Sequence, residues 1–221
     1  VRSQDRVVLN GTLLAQGGSA TAAGGSVAVE LRAPDGQTVR PAERRIVVTA
    51  DGQAAPSTPP GFVDARIDVD ALAAAGVEKL RLQAENRIEF QGSTLLDFER
   101  GIRLDAPLID LADGAQVSLR GSTVALGQSL GERQLISDGA FSTFQIVEGS
   151  ASPVVATRAG AGTLDVDAGA VDLYGQFTIN GSSLIRLASD SDIRLIGRAL
   201  TVESTDGGQQ SSRQVGRLNT S

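Results

Sequence analysis

The sequence predicts an all-β chain built as a right-handed parallel β-helix, with three strands and about 21–22 residues to each coil, preceded by a small N-terminal β module. Three observations predict it. Short strands of alternating character recur, and every third one repeats the first. The apolar residues are nearly all Val, Ile, Leu and Ala, with 3% aromatics, which suits a core of many similar layers. Gly and Pro punctuate the gaps between strands.

The clearest train occupies residues 77–127. Apolar pairs two apart occur at Leu80/Leu82, Ile88/Phe90, Leu96/Phe98, Ile102/Leu104, Ile109/Leu111, Val117/Leu119 and Val124/Leu126, each pair lying on one side of its strand. Successive pairs start 8, 8, 6, 7, 8 and 7 residues apart, too close for crossover helices and too regular for independent hairpins. From Leu80 to Ile102 is 22 residues, Ile88 to Ile109 is 21, Leu96 to Val117 is 21 and Ile102 to Val124 is 22. Three strands therefore make one coil, and stacked coils bury one another's apolar faces. The pattern returns over 162–203 with Leu164/Val166, Val171/Leu173, Phe177/Ile179, Ile185/Leu187, Ile193/Leu195 and Leu200/Val202. There the three-strand steps are 21, 22 and 23 residues.

The elements around these blocks follow in order. Residues 1–60 form an N-terminal β-rich module or irregular coils, with alternation at Val7/Leu9, Val27/Val29/Leu31 and Ile46/Val48 and a turn signal, APDGQ at 33–37, suited to a hairpin between two of them. The Pro-rich stretch 51–61 marks the boundary. In VDALAAAG, 69–76, Asp70 is expected to cap a single helical turn that Gly76 ends. The β-helix is expected over 61–221, with an irregular insertion at about 128–161, where apolar residues persist but the register is lost. Corners are expected at Gly92, Gly101, Pro107, Gly114, Gly121, Gly169, Gly175, Gly181 and Gly197.

Composition narrows the chemistry. Cys, His and Met are absent, which removes disulfides, thiol nucleophiles, imidazole bases and soft metal ligands. A formal charge of −6 and a single lysine, Lys79, speak against nucleic acid as a partner, because phosphate binding needs a basic stripe. No apolar run approaches the ~20 residues of a membrane helix, so no transmembrane segment is expected. The chain begins at Val1 without Met or a signal-like segment and reads as a piece of a longer protein.

Candidate chemistry is sparse. The D-x-D pairs Asp165/Asp167, Asp190/Asp192 and Asp68/Asp70 have the character of calcium ligands, but the glycine-rich nonapeptide that accompanies such ligands is missing, and no metal site, catalytic residue or cofactor is assigned. Coil stacking should place Arg81 beside Arg103 and Glu89 beside Asp110. The two readings are a groove for an anionic polysaccharide or a cation, and solvated rows with Arg and acid neighbouring across a corner; the second is preferred. A polysaccharide lyase or hydrolase would need converging acids and aromatic platforms. Only Tyr174 and six Phe are available, with Phe90, Phe98 and Phe177 in inward register, so the chain is expected not to be an enzyme. The Gly-rich runs 17–25 and 159–162 lack the Lys of a phosphate loop.

The phrases VDALAAAGVEKLRLQAENRIEFQG, IRLDAPLIDL, VSLRGSTVALG and GTLDVDAGAVDLYGQFTINGSSLIRLASDSDIRLIG, together spanning about residues 63–203, resemble the long exoproteins of the filamentous haemagglutinin family. The resemblance implies a secreted or surface-displayed rod of a Gram-negative bacterium that serves adhesion, aggregation or biofilm formation and leaves the cell through a dedicated outer-membrane transporter. It further implies that any partners are surface polysaccharide, host cells or neighbouring bacteria. Lack of Cys agrees with such an export route. A passive spacer within a larger toxin or adhesin is the other non-enzymatic reading.

Overall fold

A computed structural model describes residues 2–3, 7–8, 14–19, 22–32, 42–50, 57–129, 133–137, 144–148, 158–196, 198–206 and 209–217. In chain order the elements are β1 (Arg2–Ser3), β2 (Val7–Val8), β3 (Gly25–Leu31), β4 (Glu43–Thr49), β5 (Phe62–Asp68) and α1 (Val69–Ala74). Then come β6 (Val77–Ala84), β7 (Arg87–Phe90), β8 (Thr94–Asp97), β9 (Gly101–Asp105), β10 (Leu108–Leu111) and β11 (Gln116–Gly127). The remainder are β12 (Arg133–Ser137), β13 (Phe144–Glu148), β14 (Gly162–Tyr174), β15 (Thr178–Asn180), β16 (Ser182–Ser189), β17 (Ile193–Ile196), β18 (Arg198–Asp206) and β19 (Gln209–Arg217). The protein is mostly β, and its two large sheets are parallel.

The strands form three ladders. In the first, β3, β6, β9 and the second halves of β11 and β14 lead to β17, aligning Val27, Leu80, Ile102, Val124, Val171 and Ile193. The second runs β5, β4, β7, β10, β15 and aligns Ala65, Ile46, Ile88, Ile109 and Ile179. The third joins β8, the first halves of β11 and β14, and β16, aligning Leu96, Leu119, Val166 and Leu187. From β6 to β11 the chain visits first, second and third ladder in turn, so each ladder advances by one strand every 21–23 residues. Apolar residues of all three ladders meet in one core cluster, with Leu80, Leu82, Ile88, Phe90, Leu96 and Leu104 fully buried.

The third ladder departs from the expected register. Val117 stands opposite Thr94, and Leu119 opposite Leu96, an offset of 23 rather than 21. A shift of two residues keeps the same face inward, so the core survives it. Thr94 and Leu96 are the inward pair, and Phe98 lies beyond the strand end, buried in the corner before Gly101. Gly101 has φ +127°, and a β-carbon there would stand 2.6 Å from the Thr123 carbonyl oxygen, which is why this corner takes glycine.

At the N-terminus the expected hairpin does not form. Residues 33–37 lie outside the described residues, but the strands flanking them go to different ladders, β3 beside β6 and β4 beside β7, both in parallel. The same inward columns continue through them, with Val29, Leu31, Ile46 and Val48 fully buried. β5 follows β4 in sequence yet lies on its far side, in the order β2-β5-β4-β7.

The helix caps differently from the expectation as well. The extended Asp68 is the N-cap, its Oδ1 accepting from the Asp70 and Ala71 amides at 3.0 and 3.1 Å, while Asp70 sits in the first turn. Gly76, at φ +81°, ends the helix as foreseen. Val69 and Leu72 are buried, and α1 packs on β6 and β8, at the end of the third ladder. Replacing Asp68 by Ala should cost about 0.5–2 kcal/mol in urea denaturation. Asp70→Ala, which removes only a first-turn charge, should cost less than about 1 kcal/mol.

Two antiparallel hairpins stand apart from the parallel ladders. β12 pairs with β13 inside 128–161, and β11 pairs directly with β14 across that interval, Val117 opposite Leu164. Because the segment returns to the third ladder, the second ladder receives no described strand from it, and β10 pairs directly with β15. The expected column position of Leu200/Val202 is not realised: β18 pairs antiparallel with β19, Leu200 opposite Val215. Only Gly207-Gly208 separates these two strands in sequence, a dipeptide that favours tight hairpins over continued parallel winding.

Candidate functional site: the charged outer faces

Residues that alternate with the inward columns point outward, and charged ones stack on all three ladders, the most enclosed of them on the second and the first. On the second ladder Arg45 of β4 lies opposite Asp64 of β5 and Arg87 of β7. Its guanidinium donates from Nε to Asp64 Oδ1 at 2.8 Å, from Nη2 to Asp64 Oδ2 at 3.1 Å and from Nη1 to Glu89 Oε2 at 2.7 Å. The Asp64 side chain is fully buried, and that of Arg45 is 6% exposed. Burial pushes the Asp64 carboxyl up, but hydrogen bonds from Arg45 and Thr58 and the charges of Arg45 and Arg66 outweigh it and hold its pKa below the ordinary value. The Phe62 ring lies 5.0 Å from the Arg45 guanidinium and 5.2 Å from that of Arg87.

Glu89 and Asp110 stand side by side on β7 and β10, as the sequence predicts. Arg45 pairs with Glu89, Arg87 with Asp110 at 3.8 Å, and Arg158 with Asp110 at 2.9 Å. Arg87 also reaches Glu43. Arg45 and Arg87 thus pair along the face itself, while Arg158 reaches Asp110 from outside the ladder strands, beside Leu111 and Gly181.

On the first ladder Arg81 and Arg103 are neighbours in register. Arg81 donates to Gln83 Oε1 at 2.8 Å, whereas Arg103 contacts Asp105 at 3.3 Å and lies 4.5 Å from the centre of the Tyr174 ring. Asp105 is fully buried and accepts from the Ser129 amide at 2.7 Å, the Ser129 hydroxyl and Gln83 Nε2 at 3.2 Å. Tyr174 donates to the Leu104 carbonyl at 3.3 Å, and burial together with the charge of Asp105 drives its phenol upward in pKa. Tyr174 thus carries an arginine on its ring and a buried carboxylate beside it.

The D-x-D pairs do not act as pairs. Asp68 caps α1 and Asp165 accepts from Arg186 at 2.9 Å, while Asp167, Asp190 and Asp192 are exposed. Among the described residues no three acidic side chains group in a way that would hold a metal ion. Nor is any helix among them long and apolar enough to cross a membrane. Arg45 and Asp64, the most enclosed ion pair, went unassigned from sequence; the alternation of ERRIVVT over 43–49 with FVDARID over 62–68 was the available signal. Comparison with protein-family models, with curated proteins and with solved structures gave no match.

Proposed function

We propose that the three ladders are the faces of a right-handed parallel β-helix, and that the chain is a segment of a secreted or surface-displayed rod of the filamentous haemagglutinin kind, serving adhesion or aggregation without catalysis. The observation that carries the reading is the parallel, in-register stacking of Val, Ile and Leu over six aligned strands, at steps of 21–23 residues within 77–127 and 162–196 and at longer steps where other segments intervene. A repeat of that kind suits an elongated scaffold. The outward charges support it too, because the stacked Glu89 and Asp110 are both taken up by guanidinium groups. Export through an outer-membrane transporter belongs to the same proposal, as does a polysaccharide or a cell surface as partner.

Beads coated with the purified chain test the reading. They are expected to clump or to bind Gram-negative cells or their surface polysaccharide, and removal of residues 130–157 should weaken binding while preserving the β-type circular dichroism. Coated beads that neither clump nor bind would reduce the rod to a passive spacer. Release of unsaturated or reducing sugars from bacterial polysaccharide would overturn the non-catalytic reading.

A further inference from the structure

The two stacked rows of like charge end differently. On the second ladder both acids of the Glu89 and Asp110 row are taken up by guanidinium groups. On the first ladder the Arg81 and Arg103 row is not neutralised in the same way. Arg81 donates to the neutral Gln83 Oε1 at 2.8 Å and meets no carboxylate among the described residues. Two acids of that face already hold partners, Glu30 with Arg32 at 2.8 Å and Asp172 with Arg194 at 2.6 Å. The third, Asp105, lies 3.3 Å from Arg103, but it is fully buried and also accepts from Ser129 and Gln83. Exposed Lys79, two residues before Arg81 and on the same side of β6, adds a third cation. In a chain of formal charge −6, this face keeps an excess of positive charge.

The arginines are also held in place. A β-carbon at Gly127 would stand 2.7 Å from Tyr174 Cγ, so the Tyr174 side chain passes over Gly127, and its hydroxyl reaches the Leu104 carbonyl on β9 at 3.3 Å. Arg103 lies over that ring, 4.5 Å from its centre. A guanidinium stacked by its face directs its in-plane N–H groups at an acceptor beside it. The flanking positions of the row are Ala28 and Ala125, so no long side chain covers the arginines from either neighbouring strand. We propose that Arg81, Arg103 and Lys79 form a binding site for the carboxylates of a uronic acid polysaccharide, with Tyr174 as the positioning residue of Arg103. The inference rests on the reading of the chain as an adhesive segment with a polysaccharide partner. A carboxylate matches the paired N–H groups of a guanidinium, and a linear polymer laid along the stack meets Arg81 and Arg103 on successive strands.

The immobilised full chain is tested at physiological salt against alginate, whose sugars are all uronic acids, against dextran sulfate and against neutral dextran. Alginate should bind and be released by high salt, and dextran should not bind. Arg81→Gln should weaken alginate binding about tenfold, the loss of a charge-assisted contact, without changing the β-type circular dichroism, because Arg81 is exposed. Arg103→Lys keeps the charge but loses the planar fork and should also weaken binding. Tyr174→Phe keeps the ring under Arg103 and should bind alginate better than Tyr174→Ala. Arg120→Gln removes an equally exposed cation from the third ladder and should weaken binding less than about twofold. Absence of alginate binding, equal losses in Arg81→Gln and Arg120→Gln, or binding of dextran sulfate without alginate would overturn the site. If coated beads still clump or hold cells while alginate fails to bind, adhesion stands and this site falls; if both fail, the adhesive reading falls with it.

Discussion

Replacing Arg45 by Met should lower folding stability by about 3–5 kcal/mol, the cost of leaving a buried charge without its partner. The guanidinium reaches three carboxylate oxygens on two strands, two on Asp64 of β5 and one on Glu89 of β7, so it ties β5 to β7 across β4. With the Asp64 side chain fully buried, the carboxylate cannot turn to water when Arg45 is removed; Arg66, 3.8 Å away, and Thr58 are weaker substitutes. Arg45→Lys keeps the charge but loses the two-pronged geometry, and should fall between the wild type and the Met variant. Combining Arg45→Met with Asp64→Leu should recover most of the loss, since an apolar pair of similar volume avoids the desolvation of both ions. Urea denaturation checks all three. A loss below about 1 kcal/mol for Arg45→Met would reduce the pair to an ordinary surface ion pair.

The same pair sets a pH dependence whose sign is fixed. Asp64 has a folded pKa below its unfolded value, so its contribution is fully present above the unfolded pKa, near 3.9, and is lost as pH falls through the lower folded value. In Arg45→Met the buried carboxylate has lost the cation that held it down, its folded pKa rises, and protonation relieves the variant. The gap in stability between wild type and Arg45→Met should therefore be widest at neutral pH and narrow on acidification, starting at the raised folded pKa of the variant and ending at the lowered one of the wild type. A gap that is constant from neutral pH to pH 3 would show that lost packing of the Arg45 stem against Phe62, not charge, causes the defect.

How much of this was readable depends on what each feature needs. The inward columns were legible because alternation has a period of two and any stacked fold must repeat it; every apolar residue of the 77–127 pairs is buried. The register of Leu96 was not, because an offset of 21 or 23 leaves the same face inward, and hydrophobic pattern alone does not separate them. Likewise β4 and β5 carry the right alternation, but their reversed order along the ladder is decided by pairing partners far apart in sequence. The paired acids Glu89 and Asp110 followed from the repeat, whereas the neutralisation of Glu89 by Arg45 required knowing that β4 joins β7. The final hairpin had the opposite failing: Leu200 and Val202 fit the repeat, and the local turn signal of Gly207-Gly208 outweighed it.

A single column provides the sharpest test of stacked burial, because Leu82, Leu104, Leu126, Leu173 and Leu195 stand in line on five successive strands of the first ladder. Leu104 lies in the middle of that line and is fully buried, so Leu104→Ala removes apolar contacts on both flanks and opens a cavity that neighbouring strands, fixed by their hydrogen bonds, cannot close. The expected loss is about 2–5 kcal/mol. Leu195 has the same residue type, strand face and column, but with one strand beside it instead of two it is 58% exposed. In dilute solution Leu195→Ala should change stability by no more than about 0.5 kcal/mol. The contrast isolates the second flanking strand as the source of the difference, since side chain and substitution are identical. Equal losses at both positions would mean that Leu195 is covered in the free chain.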